Sequence, residues 1–471
     1  MFENIIAQAA VTRLRGDIET GILAPSMLFY GPAASGKGTS ALELGRVLSC
    51  EETGAWNCSC PSCARHKSLL HPDLLMMGRR AFAGEIAASA AVLQRDPRHG
   101  RLLLIRSARK LLGRFSPVLW EGDKDLGKLN PLIQVLEDDL DALERACNGD
   151  GDSSGALGAS IVKDALKLEA EGIADFIPVA QIRRASYWGH LAPLGRRKLL
   201  VIENADCMKE EALNSLLKIL EEPPERLTIV LCTARREGIL PTLLSRLRPY
   251  HFMRRDLAAE AELIRRVFRD KQAAEALVSP LPASPLPIAP LPASPLPIAP
   301  LPAAPVRGLT GLEAYLDSFL PVNRDTLYPL AAFFVSSVAL AALDGFRRRG
   351  IGVLPDELVA LGKHCAPIAG SAGLGRPVAD SKTIVDKVLT EARNFQIHSL
   401  FFSFLAQALD LVSEGLRPLE PGPCRIAYLE LWKKHVGTAA AAGSLNQSPT
   451  LTLERLAGDL KEAMTDAGAG R

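Results

Sequence analysis

The chain has 471 residues, enough for about two to four domains with buried cores, and its 48% hydrophobic and 23% charged content describes a soluble globular protein. A net charge of +2 gives no whole-molecule signature for nucleic acid and leaves that role only to a local basic face. Met1-Phe2-Glu3-Asn4-Ile5-Ile6 has neither a basic n-region nor a cleavable apolar core, and four of the nine cysteines crowd into positions 50–63, so neither a signal peptide nor a disulfide framework is expected. The expected compartment is the cytoplasm.

Residues 1–49 read as a helix from Asn4 to about Ile22, a strand at Ser26-Met27-Leu28, a glycine loop and a second helix over Ser40–Leu48. The loop, Gly31-Pro32-Ala33-Ala34-Ser35-Gly36-Lys37-Gly38-Thr39, carries a complete G-x-x-x-x-G-K pattern. Such a loop aims backbone N–H groups inward, adds the positive end of the following helix and sends its lysine to the outer phosphates of a nucleotide. Gly31, Ser35, Gly36, Lys37, Gly38 and Thr39 are therefore the candidate ATP-binding residues. Gly38, however, stands where Ser or Thr usually holds Mg²⁺, and Thr39 one step later is the available substitute. The competing reading is a loop that keeps the shape without the ligand.

Directly afterwards Cys50, Cys58, Cys60 and Cys63 fall within fourteen residues and end in C-x-x-C. Four thiolates suit a closed tetrahedral Zn²⁺ with no open position for catalysis. If His66 completed the site, Cys58 or Cys60 would be spare; redox pairing and chance clustering are the other readings. Residues 74 to about 176 give a weak pattern. Leu102–Ile105 fits a strand or part of a helix running to Leu112, Leu132–Ala146 has helical spacing, and Asn148–Gly155 reads as a linker.

From Ile177 the signal sharpens. Arg197–Asp206 is a short apolar strand ending in acidic groups, Lys209–Glu222 a helix stopped by Pro223-Pro224, and Leu227–Thr233 another buried strand. Strands alternating with helices around a phosphate loop predict a doubly wound α/β domain. Leu-Pro-Ala-Ser-Pro-Leu-Pro-Ile-Ala-Pro then occurs at 281–290 and again at 291–300, a polyproline spacer within 279–305. Its reach, if straight, is roughly 80 Å at about 3.1 Å per residue. Residues 308–471 are helical in pattern, with an apolar stripe over Phe395–Val412 and an amphipathic tail from Thr450. Leu330–Leu343 is too short and too diluted by alanine and serine for a membrane span and is expected to be a buried bundle helix.

Several of these features fall in a distinctive order: the phosphate loop, the cysteine cluster, His71-Pro72-Asp73, Lys198–Asp206, Leu216-Leu217-Lys218-Ile219-Leu220-Glu221-Glu222-Pro223-Pro224, and Ser245-Arg246. In this order they resemble a bacterial DNA polymerase III clamp-loader subunit of the AAA+ superfamily, over residues 1–75 and 177–255. The resemblance implies a RecA-like AAA+ parallel-sheet domain with helices on both faces, a small helical lid and an all-helical C-terminal collar domain. The expected boundaries are 1–252 for the AAA+ domain (zinc module at 50–63, insertion at about 76–176), 253–325 for a lid interrupted by the proline repeats, and 326–471 for the collar.

Hydrolysing gamma/tau members end the corresponding strand with adjacent Asp and Glu, for Mg²⁺ and for the attacking water. Here the pair is Glu203-Asn204, and the Ile-Glu-x-Ala-Asp form is similar to delta-prime subunits. The resemblance thus implies a stator-like subunit with weak or absent ATPase of its own, whose Arg246 serves as an arginine finger on a neighbouring subunit's ATP. Implied partners are gamma/tau and delta subunits, the sliding clamp, and primer–template DNA through the assembled ring, with no membrane. Alternatives are a gamma/tau-type ATPase and, more distantly, a nucleoside monophosphate kinase, which Gly-x-x-x-Ser-Gly-Lys-Gly-Thr also resembles but which lacks the Glu-Glu-Pro-Pro helix.

Overall fold

Four short, mostly buried apolar runs and a polar edge strand form one parallel sheet: β1 (Ser26–Tyr30), β2 (Leu74–Gly78), β3 (Lys198–Glu203), β4 (Leu227–Thr233) and the edge strand β5 (Arg248–His251), in spatial order β2-β3-β4-β1-β5. Every pairing is parallel, which explains why β3 and β4 read as continuous apolar stretches rather than alternating ones. The computed structural model describes residues 1–146, 151–174, 176–278, 311–320, 324–350, 354–392, 398–419, 423–444 and 449–469. The chain divides into two units, Met1–Leu320 and Pro321–Arg471.

Alternate residues of the strands feed two apolar layers in the first unit. Leu28, Leu200, Ile202, Ile229 and Leu231 pack with Leu213, Leu216 and Leu220 of helix Glu210–Glu221. Met27, Phe29, Leu199, Val201 and Val230 pack on the other face with Leu14 of helix Ala9–Glu19 and Leu44 of helix Lys37–Ser49. β1 lies between β4 and β5, and Tyr30 pairs with Thr233 at the carboxyl edge. The chain leaves β1 toward one side of the sheet and returns from β4 to the other, so the crevice that opens there is where such sheets take ligands.

The expected α/β architecture holds, while several local expectations change. The first helix is shorter than Asn4–Ile22: Gln8 is extended and Ala7 has φ of 51°, so helical turns begin only at Ala9. Leu102–Ile105 belongs to helix Pro97–Leu112, not to a strand. Within the stretch read as a linker, residues 151–155 begin helix Gly151–Gly172, and 147–150 lie outside the described residues. Asp, Ser and Gly favour helix starts as much as linkers. The proline repeats at 279–305 also lie outside the described residues.

Between β2 and helix Val179–His190 stand helices Ala83–Arg95, Pro97–Leu112, Asp125–Arg145 and Gly151–Gly172. Their Leu93, Leu104, Leu136 and Ile161 share one apolar core with Ile264, Phe268, Leu277 and Tyr315 of helices Leu257–Val267, Lys271–Val278 and Leu312–Asp317 and the loop after Val267. In the second unit helix Arg324–Arg348 packs against helices Asp356–Ser371, His398–Leu416 and Pro449–Ala469. It is long and apolar enough by length and composition to cross a membrane, yet 72% of its most apolar window is buried inside the structure. Phe334 there meets Phe404 and Trp432 edge-on at 5.5 and 6.4 Å.

Candidate functional site

The phosphate loop joins β1 to helix Lys37–Ser49, as its spacing requires. Gly36 caps that helix with φ of 95°, a left-handed conformation open to glycine, and a Cβ there would lie 2.6 Å from Nη2 of Arg255. Lys37 is buried, and its Nζ donates to the carbonyls of Gly31 at 2.7 Å and Pro32 at 2.5 Å and to Ser35 Oγ at 3.3 Å. Burial pushes its ammonium pKa down, against the opposing pull of Cys232, Glu203 and Asp206. A phosphate must take the ammonium from these loop carbonyls. Arg255, 8% exposed, holds the loop by donating to Ala34 O, and its Nε donates to Ile6 O at 3.1 Å.

Gly38 has a second physical role. A Cβ on residue 38 would overlap Oε1 of Glu203 and stand 3.3 Å from its Cδ. The carboxylate therefore fills the space that a metal-holding hydroxyl would take, and glycine makes that space. Glu203 is in turn paired with Arg114 through Nη2 and with Arg80 through Nη1 at 3.5 Å. Both guanidiniums lie on the Phe82 ring, that of Arg80 5.7 Å and that of Arg114 5.2 Å from its centroid. Burial disfavours the charged form of Glu203, but Arg80, Arg114 and Lys110 outweigh it and hold the carboxyl below its ordinary range. Arg80 also pairs with Glu85, which Lys110 pairs as well.

This pairing decides what the site can do with a cation. At about 4 Å and an effective dielectric constant near 20, two unit charges interact by about 4 kcal/mol. A dication on Glu203 would meet two guanidiniums, each at twice that repulsion.

The neighbouring positions are equally committed. Asn204 is left-handed (φ 48°), which Asn tolerates, and its Nδ2 donates to Arg79 O at 2.8 Å, so its amide serves the backbone. At the end of β4, the Thr233 hydroxyl donates to Asp206 Oδ1 at 2.6 Å while Arg235 Nε donates to Oδ2 at 2.9 Å.

The four cysteines converge. The sulfurs of Cys50, Cys58, Cys60 and Cys63 all lie within 4.8 Å of one another, and each residue is buried. Cys50 is 3.7 Å from Cys58 and 4.0 Å from Cys60. A tetrahedron with Zn–S bonds of about 2.3 Å has edges of about 3.8 Å, so the donor set fits zinc in size and chemistry. Gly54 N donates to Cys50 Sγ at 3.2 Å, Cys63 N to Cys60 Sγ at 3.4 Å, and Arg46 Nη1 to Cys63 Sγ at 3.1 Å. Such contacts orient ligands and spread thiolate charge. His66 takes no part: its ring stacks on His71 at 4.1 Å.

Arg246 sits apart from both sites, just after helix Pro241–Leu244. Its guanidinium is 36% exposed, donating to Glu221 Oε1 at 2.8 Å and Thr242 O at 2.7 Å. Among the described residues its partners are Glu221, Thr242 and Ser245, in exposed contacts.

Sequence reasoning missed Arg80, Arg114 and Arg46. The first two lie in the weakly patterned stretch and reach Glu203 only through tertiary folding. Arg46 is fully buried in the loop's helix and donates to Glu43, Gly54 O, Ala55 O and Cys63. A charged residue on the apolar side of a helix was the available signal.

A parallel sheet of this order, with a phosphate loop after β1 and acidic and threonine side chains at the ends of β3 and β4, defines a RecA-like domain of the AAA+ kind. The family model described as DNA polymerase III, delta subunit, matches residues 6–256, and the chain belongs to that family. DNA polymerase III subunit gamma/tau of Mycobacterium tuberculosis is 31% identical over 90 residues, 19% of this chain and 15% of that subunit. Subunit delta' of Pseudomonas aeruginosa is 33% identical over 133 residues, 28% of this chain and 40% of that subunit. The chain thus spans less than half the length of these two relatives. A gamma-subunit-related protein of Thermotoga maritima is 15% identical, with 62% of this chain and 81% of that one covered and a TM-score of 0.27, too low for the chains to superpose as wholes.

Proposed function

We propose that the chain is a delta-prime-type, stator-like clamp-loader subunit acting in the cytoplasm with gamma/tau and delta subunits to load the sliding clamp onto primed DNA. The observation that carries this is the pairing of Glu203 with Arg80 and Arg114 against Gly38. It occupies the place of the divalent ion that hydrolysis needs, while Asn204 is spent on Arg79 O. Binding of nucleotide then rests on Lys37, Gly31, Ser35 and Gly36, with Gly38 and Thr39 opening the helix, while at the two positions that carry hydrolysis in the gamma/tau members Glu203 is paired with arginines and Asn204 is no base.

In this reading the 253–325 and 326–471 regions serve as lid and collar, and the cysteine cluster holds a structural zinc. Arg246 acts outward. Its exposed guanidinium is free to exchange Glu221 for a γ-phosphate on the adjoining subunit, where fingers of this kind raise rates by about 10³–10⁵ in related enzymes. A gamma/tau-type ATPase is the second reading, favoured by the intact Lys37 and by the gamma/tau relatives. Co-purification with gamma/tau-like and delta-like subunits, followed by ATPase assay of the chain alone and of the ring, separates the two. Turnover by the isolated chain that rivals a gamma-type ring and is abolished by Lys37→Ala would overturn the stator reading.

A further inference from the structure

Arg80 follows β2, Arg114 lies in the short 3-10 turn Gly113–Phe115, and both belong to the segment inserted after the cysteine module. Each sends its guanidinium to the carboxyl edge of β3. Nη1 of Arg80 lies 3.8 Å from the Cβ position of residue 38, close to where a cation held by a hydroxyl there would stand. Arg114 is 4% exposed, and its Nη1 is buried with no hydrogen-bond partner, a donor without an acceptor next to a phosphate cradle. Arg80, Arg114 and Lys110 face the two carboxylates of Glu203 and Glu85, one positive charge in excess before Lys37 is added. Of the other carboxylates nearby, Glu169 is turned to the backbone N–H groups of Phe82 and Ala83, and Asp206 is held by Thr233 and Arg235.

We infer that Arg80 and Arg114 replace the divalent cation of a phosphate loop, so that this site takes a nucleoside triphosphate in its metal-free form. A phosphate oxygen gives the Arg114 Nη1 donor its acceptor, and the planar guanidinium fork matches phosphate geometry where a point cation would need a hydroxyl and a free carboxylate. Gly38 supplies no hydroxyl and Glu203 is not free. This inference rests on the reading of residues 31–39 as a nucleotide cradle, and the two fail differently.

The experiment is calorimetric titration of the full chain with ATP, once in EDTA and once in millimolar Mg²⁺. Binding in EDTA within about threefold of that in Mg²⁺, or tighter, is expected. Arg80→Gln, at a side chain that is 28% exposed, should weaken binding in EDTA by about tenfold or more, and Arg80→Lys should recover part of it. Binding tighter in Mg²⁺ by about tenfold or more overturns the inference and leaves the nucleotide reading standing. An affinity unchanged in a folded Arg80→Gln also overturns it. No heat in either buffer at millimolar ATP overturns the nucleotide reading itself. If the variant does not fold, the two-buffer comparison on the natural chain still decides.

Discussion

Gly38→Ala tests the close approach at the centre of the site. On helix propensity alone the change should help, since alanine inside a helix is favoured over glycine by about 0.5–1 kcal/mol. The structure reverses the sign. The new methyl overlaps Glu203 Oε1 and sits 3.3 Å from Cδ, so the carboxylate must leave its place. Overpacking of this kind costs about 1–3 kcal/mol, and separating a buried carboxylate from its guanidiniums about 3–5 kcal/mol when it is complete. Partial displacement, less the propensity gain, gives a net destabilisation of about 2–4 kcal/mol. Urea unfolding followed by tryptophan fluorescence reads it well, because Trp56, Trp120 and Trp188 lie in the affected unit and Trp432 in the other.

A double-mutant cycle isolates the cause. Glu203→Ala alone should be strongly destabilising because it strands Arg114, but adding Gly38→Ala to it should cost nothing further. A coupling of about 2–3 kcal/mol is expected. Gly38→Ala that is neutral or stabilising, or a cycle additive within about 0.5 kcal/mol, would refute the reasoning.

Other outcomes follow from the same geometry. Freshly purified protein should carry stoichiometric zinc, and strong chelation or Cys63→Ser should lower its melting temperature by several degrees, because a closed site contributes folding energy; metal-free protein with an unchanged melt would refute the site. Arg246→Ala should leave stability within about 0.5 kcal/mol, as expected for an exposed pair, and leave ring assembly intact while reducing ring ATPase. Lost assembly would make the residue structural. Lys110 and Arg80 overcome burial to hold the Glu85 carboxyl at about 2, below its ordinary 4.5. The unfolded chain therefore takes up this proton first as pH falls, so the contribution is full above about pH 4.5 and lost toward pH 2, about 3 kcal/mol in all. The stability gap between the natural chain and Glu85→Gln, measured by urea unfolding, should accordingly narrow as pH falls below about 4.5 and close only toward pH 2.

The sheet was legible in the sequence where local chemistry and tertiary position agree. Leu199–Ile202 and Ile229–Leu231 are unbroken apolar runs because both faces of the strands are covered, and Pro223-Pro224 stops the helix between them. β2 escaped notice because Leu74-Leu75-Met76-Met77 has no β-branched residue and no alternation, and its place at the sheet edge is set by pairing with β3. Helix Gly151–Gly172 was obscured because its first turn is built from the residues of a linker.

The site divides the same way. Lys37, the four cysteines and Arg246 are readable because their chemistry depends on short spacing or a fixed neighbour, whereas a counter-charge from 89 residues away leaves no local trace. Gly38 shows what that distance hides. In the sequence it is a missing Mg²⁺ ligand, a loss; beside Glu203 it is the condition for seating a carboxylate that Arg80 and Arg114 neutralise. The two substitutions are one change seen from a helix start and a strand end. A loop merely drifting away from hydrolysis would not require glycine at residue 38, nor a buried and a half-buried arginine to meet a glutamate at the end of β3. Helix Lys37–Ser49 extends the point: its first residue faces the phosphate cradle, and Arg46 near its last turn is anchored to Glu43, Gly54, Ala55 and Cys63. Both ends are fixed, one by the arginine-paired carboxylate beside Gly38 and the other by the cysteine cluster, which suits a loop that holds its shape while a neighbouring site does the chemistry.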